Sequence, residues 1–139
     1  MQISAHVRNA GNAHDVSVST AGVSRHIDVP AKSGARGSSV NGGEFLMLAL
    51  ATCYCNDIYR EAARKGIEVA AVEVEASAHF EGVGLAATNI RYSARIDSPA
   101  APDQIARLLR ETDAVAEVQN TLRAGGAVEL VPWDSAGRT

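Results

Sequence analysis

Cys53 and Cys55 are the residues of this 139-residue chain best suited to covalent chemistry. A thiolate is both a nucleophile and a metal ligand, and a nearby cation favours it over the thiol. Arg36, in the glycine-rich stretch before the cysteines, is the first candidate for that cation, with Arg8 and Arg25 as further ones. Without a cation the two cysteines read as core residues, since free cysteine is among the most buried residue types. On a helix, residues i and i+2 lie about 200° apart and face opposite sides, so a disulfide between Cys53 and Cys55 would break it. Two cysteines fall short of the ligand pairs of a zinc site, and His6, His14, His26 and His79 lack HExxH-type spacing. No phosphate loop, dinucleotide fingerprint or serine-nucleophile elbow is present, so neither metal nor cofactor is expected.

These residues need elements to hold them. Val16, Val18 and Thr20 alternate with polar or small residues, Ala21-Gly22 signals a turn, and Val23 to Val29 continues extended. Residues 9 to 14 read as a hairpin loop, giving an antiparallel meander. Pro30 to Gly43 is a long loop carrying Arg36. Asn41 then caps a helix, with Glu44 three residues on in a capping-box arrangement. The run Phe45 to Ala51 is apolar on every face, which predicts a helix buried all round at its start. Polarity returns at Asn56-Asp57 and Arg60-Glu61, so the helix is expected to end at the surface, at Gly66. Ile67 to Phe80 and Ala87 to Ile96 alternate as a hairpin. Pro102 opens a second helix with Ile105, Leu108 and Leu109 as its stripe. Val115, Val118 and Leu122 predict a third, stopped by Gly125-Gly126. Ala127 to Val131 reads as a closing strand, and 133–139 as a flexible tail. The order predicts one α+β domain over residues 1–139. A helix apolar all round is hard to cover within so short a chain, which predicts a homodimer.

Composition narrows the function. The chain is 46% apolar and 21% charged, as globular proteins are, and its net charge of -3 argues against a nucleic-acid partner. Phe45 to Cys55 is too short to span a membrane, and no basic region precedes an apolar run at the N-terminus. Two cysteines, too few for a disulfide scaffold, fit a cytoplasmic protein with reduced thiols.

The segment Asn41-Gly-Gly-Glu-Phe-Leu-Met-Leu-Ala-Leu-Ala-Thr-Cys53 resembles the helix start of the OsmC/Ohr family, the osmotically inducible and organic-hydroperoxide-resistance proteins. Ala116-Glu-Val-Gln-Asn-Thr-Leu-Arg-Ala-Gly-Gly-Ala-Val-Glu-Leu130 resembles its second motif, Cys-Pro-Val-Ser-Asn-Thr-Leu followed by a closing strand. The resemblance implies antiparallel sheets wrapped around a long central helix in an intertwined homodimer, with the sites at the subunit interface. It also implies chemistry in which the helix cysteine attacks a peroxide and a second-motif cysteine resolves the sulfenic acid.

Position by position, Cys53 matches the attacking cysteine. Ala116 stands where the resolving cysteine belongs, and Glu117 stands at the following proline. Gly43 takes the place of a supporting glutamate, with Glu44 one residue on. Arg36 matches the supporting arginine approximately. Cys53, Arg36 and Glu44 are therefore the candidate catalytic residues, and Cys55 has no counterpart. Two functions follow. One is a one-cysteine peroxidase acting on organic hydroperoxides and needing an external thiol reductant. The other is a non-catalytic protein binding an apolar small molecule.

Overall fold

Alternating residues in the first thirty positions build three strands. A computed structural model describes residues 1–133. The chain forms two compact units, one holding Met1–Gly42 with the described part of Val128–Thr139, the other Gly43–Ala127. In the first unit, β1 (Ile3–Ala10), β2 (Ala13–Thr20) and β3 (Val23–Ile27) form an antiparallel meander in the order β1-β2-β3. Val16, buried, pairs with Val7 on one side and Ile27 on the other. Ala21 and Gly22 both take positive φ, 50° and 82°, the geometry of a tight hairpin turn that follows the strand twist.

The loop after β3 folds back on itself. Ala31 bridges Ser38, the Lys32 N–H donates to the Gly37 carbonyl at 2.9 Å, and the Gly37 N–H donates to Asn9 Oδ1 at 3.3 Å. Arg36 sits exposed at this bend, between Gly34 and Gly37, which both take positive φ.

The second unit takes in all but the first residue of α1 (Gly42–Arg64). Gly66, at φ 65°, ends it: its N–H donates to the Ala63 carbonyl at 3.2 Å, and that of Ile67 to the Ala62 carbonyl at 2.9 Å. This crossed pair satisfies two carbonyls that the helix end would otherwise orphan. The hairpin β4 (Ala71–His79) and β5 (Thr88–Asp97) pairs Val72 with Ile96, Val74 with Ala94 and Ala76 with Tyr92. Its inner residues Val72, Val74, Tyr92, Ala94 and Ile96 pack on Tyr54, Ile58 and Ala62 of α1. Two more helices follow, α2 (Pro102–Val115) and α3 (Glu117–Ala124). Leu108 of α2 is fully buried in the same core. Gly125 closes α3 at φ 62°.

Two expectations need correction. α1 is buried along the i, i+4 stripe Leu50, Tyr54, Ile58 and Ala62, which runs from its third turn to its C-terminal end. Within a single copy of the chain its apolar start is only partly covered, with Leu48 57% exposed, because the hairpin and α2 pack against the later turns. Ala127 to Val131 forms no strand; Val128 and Leu130 are fully exposed, with no strand partner among the described residues. Alternating apolar residues predict a strand, but a ladder also needs an edge to pair with. The expected tail at 133–139 lies outside the described residues except for Trp133, whose ring lies 6.4 Å from that of His6. Among the described residues, no helix is long and apolar enough to cross a membrane.

Candidate functional site

Helical spacing sets the site. Cys53 lies at the middle of α1 and is partly buried; Asp57 follows one turn later on the same face. The Cys53 Sγ–H donates to Asp57 Oδ2 at 3.6 Å. Arg60, three residues further, places Nη1 2.7 Å from Asp57 Oδ1. Asp57 is 4% exposed, a depth at which a carboxylate needs such a partner.

The second motif completes the site. Ala116 is fully buried in an extended conformation and leads into α3, whose first residue is Glu117. Glu117 Oε2 lies 3.9 Å from Cys53 Sγ, and Oε1 lies 3.8 Å from Arg60 Nη1. Buried Gln119 donates from Nε2 to the Leu50 carbonyl at 3.0 Å, locking α3 against α1. Asn120, from the Asn-Thr-Leu motif, donates to the Ala114 carbonyl at 3.0 Å and accepts from Arg123 at 3.0 Å. The second motif thus builds the bend that delivers Glu117.

The electrostatics follow from this packing. Burial pushes the Cys53 thiol above its ordinary value; the Val118 backbone N–H opposes that shift, and the charges of Asp57 and Glu117 add to it. Burial also raises the Asp57 carboxyl, Glu117 raises it further, and Arg60 pulls it back. Asp57 is therefore a better proton acceptor than an ordinary carboxylate. Cys53, Asp57 and Glu117 offer ligand atoms within 4.8 Å of one another, and Arg60 pairs with one oxygen of each carboxylate.

The sequence candidates fall in different places. Cys53 is at the centre of the cluster. Glu44 stands in the first turn of the same helix, nine residues earlier and so about 13.5 Å along its axis. Arg36 belongs to the N-terminal unit. Cys55 is a free thiol two residues from Cys53, on a different face. Asp57 and Arg60 enter the sequence reading only as the return of polarity. Their spacing of four and seven residues from Cys53 is the signal that they share its face. A separate cavity of about 240 Å³ is lined by Leu50, Ile90, Tyr92, Gln119, Leu122 and Arg123.

The model of the OsmC family, OsmC-like protein, matches residues 35–131. The chain belongs to the OsmC family. Among solved structures, an organic hydroperoxide resistance protein OsmC from Legionella pneumophila is 17% identical, with a TM-score of 0.58 over 88% of this chain and 90% of that one. One from Elizabethkingia anophelis, an organic hydroperoxide resistance protein with thiocyanate bound, is 16% identical, with a TM-score of 0.61 over 88% and 89%. An OsmC-like protein from Mycoplasma pneumoniae is 19% identical, with a TM-score of 0.60 over 88% and 86%. No curated protein matches. At these identities the likeness establishes a shared fold, and this OsmC-like chain has the α+β architecture with antiparallel sheets expected from its sequence.

Proposed function

We propose that this OsmC-like protein reduces organic hydroperoxides through Cys53, as a one-cysteine peroxidase in a reducing, cytoplasmic setting. The observation that carries the reading is the hydrogen bond from the partly buried Cys53 thiol to Asp57 Oδ2. A thiol is activated by an adjacent general base, and Asp57 is held for that role by Arg60. Asp57 takes the thiol proton as sulfur attacks the distal peroxide oxygen. The O–O bond breaks, an S–O bond forms, and the leaving alkoxide takes the proton from Asp57. The products are an alcohol and Cys53–SOH. With Ala116 in the resolving position, an external thiol attacks the sulfenic sulfur and releases water; a second thiol then frees Cys53 as a disulfide leaves. Arg36 and Glu44 come to this reading only through the family resemblance, and no step of it uses them.

A homodimer is part of the proposal. Leu48, Thr52, Cys55 and Tyr59 line one face of α1 at helical spacing; Leu48 is 57% and Tyr59 44% exposed. A second copy of α1 is the partner that the resemblance supplies for this face, and Cys55 then has a packing role.

The test is rapid mixing of reduced protein with cumene hydroperoxide and a sulfenic-acid trap, read by intact mass, beside Cys53→Ser. Trapping lost in Cys53→Ser supports the peroxidase. No adduct in the folded wild-type protein leaves the second reading, a non-catalytic binder of an apolar molecule. That reading draws on the cavity at Leu50, Ile90 and Leu122 and on the two carboxylates that disfavour the Cys53 thiolate.

A further inference from the structure

Asp57 and Glu117 each divide their two oxygens in the same way. Oδ2 and Oε2 lie 3.6 and 3.9 Å from Cys53 Sγ, while Oδ1 and Oε1 lie 2.7 and 3.8 Å from Arg60 Nη1. The four side chains close a ring in which the guanidinium holds both carboxylates and the carboxylates flank the sulfur. Ala116, at the family's resolving position, offers no second thiol. A sulfenic acid formed at Cys53 must therefore survive until an outside thiol arrives.

We propose that Asp57 and Glu117 stop the oxidation of Cys53 at the sulfenic acid. The proposal rests on the peroxidase reading and adds what the carboxylate pair does after the first turnover step. Further oxidation needs the sulfenate anion to attack a second peroxide. That O–O bond breaks, a second S–O bond forms, the alkoxide is protonated, and a sulfinate remains. The reacting sulfenate and the sulfinate both carry negative charge at sulfur, against two carboxylate oxygens about 4 Å away, and like charges at that range disfavour one another. The neutral sulfenic acid has no such conflict, and its O–H donates to either carboxylate. Arg60 pairs with the oxygens of the two carboxylates that do not face the sulfur, at 2.7 Å from Asp57 Oδ1 and 3.8 Å from Glu117 Oε1.

Glu117 gives the cleaner test, because its side chain is 71% exposed and α3 does not depend on it for packing. The full-length protein is treated with excess cumene hydroperoxide and sampled over time by intact mass. Peptide mapping assigns gains of about 16 and about 32 Da to sulfenic and sulfinic Cys53. Wild-type protein is expected to accumulate the first and resist the second. Glu117→Gln is expected to reach the sulfinic acid up to about fivefold faster from the sulfenic state, and Glu117→Asp to restore resistance. Equal rates of sulfinic-acid formation in wild type and Glu117→Gln, with sulfenic acid trapped in both, would overturn the proposal and leave the peroxidase intact. No trappable sulfenic acid in wild-type protein would instead overturn the peroxidase reading itself, and this proposal with it.

Discussion

Cys53 and Asp57 stand one helical turn apart, with Sγ 3.6 Å from the carboxylate oxygen that Arg60 leaves open. The pair is both a burden and an aid. The negative charge makes the thiol harder to ionise, while the same oxygen is placed to receive its proton. The two effects make opposite predictions for the same substitution.

Asp57→Asn keeps the shape and removes the base. If Asp57 only burdened the thiol, the variant would react faster with peroxide. As a general base it contributes about 10²-fold or more, so kcat/KM for an organic hydroperoxide is expected to fall by at least that factor. Stopped-flow peroxide consumption in Asp57→Asn and wild type, at matched folded fraction by circular dichroism, separates the two.

Alkylation of Cys53 by iodoacetamide reports its ionisation directly. The thiol is pushed above its ordinary value by burial and by two carboxylates, so the rate is expected to rise at a higher pH than for a free cysteine. Glu117→Gln removes one contribution and moves the profile to lower pH. Exposed charge pairs are worth up to about 1 kcal/mol, so alkylation at pH 8 is expected to quicken by up to about fivefold.

Tyr54 links the site to stability. Burial, with the Asp113 charge as a smaller cause, raises its hydroxyl from 10.0 to about 12. The folded state thus holds this proton more firmly than the unfolded chain does. The stabilisation is full below pH 10 and is lost as pH rises through about 12. Tyr54→Phe is expected to flatten the alkaline limb of a stability-against-pH curve. It also removes the 2.7 Å hydrogen bond to the Leu109 carbonyl, at a cost of about 1 kcal/mol at neutral pH. Urea unfolding from pH 7 to 11 measures both.

The exposed face of α1 makes a prediction about assembly. Leu48→Glu places a charge in the middle of the proposed helix pair, where an unpaired charge is costly to bury. Sedimentation is expected to show a dimer for wild type and a monomer for the variant. A wild-type monomer at micromolar concentration would remove the dimer from the proposal.

Most of the fold could be read from local patterns. Gly66, Gly125 and Pro102 mark helix ends because each has a backbone reason to stand there. Val72, Val74 and Ile96 declare an inward face by period-two alternation. Burial of α1 was harder, because a segment apolar on every face does not say which side the hairpin covers; the i, i+4 stripe from Leu50 to Ala62 is chosen by packing. The closing strand at Ala127 to Val131 failed for a related reason, since pairing is a property of two segments. In the site, Cys53 was legible from its type and motif. Asp57 and Arg60 were legible from helical spacing, though polarity near a helix end looks like a solvated surface. Only the fold brings Glu117 to the sulfur, through the Ala116 bend and the Gln119 bond to α1.

The two carboxylates also differ in when they can reach the thiol. Asp57 comes with the helix that carries Cys53, only four residues on, whereas Glu117 is separated from the cysteine by 64 positions. At typical synthesis rates of about 5–20 residues per second, roughly 3–13 s pass before Glu117 is even made. During that interval only one of the two acidic neighbours of Cys53 exists. The electrostatic setting of Cys53 is therefore complete only once α3 has been made and has folded onto α1.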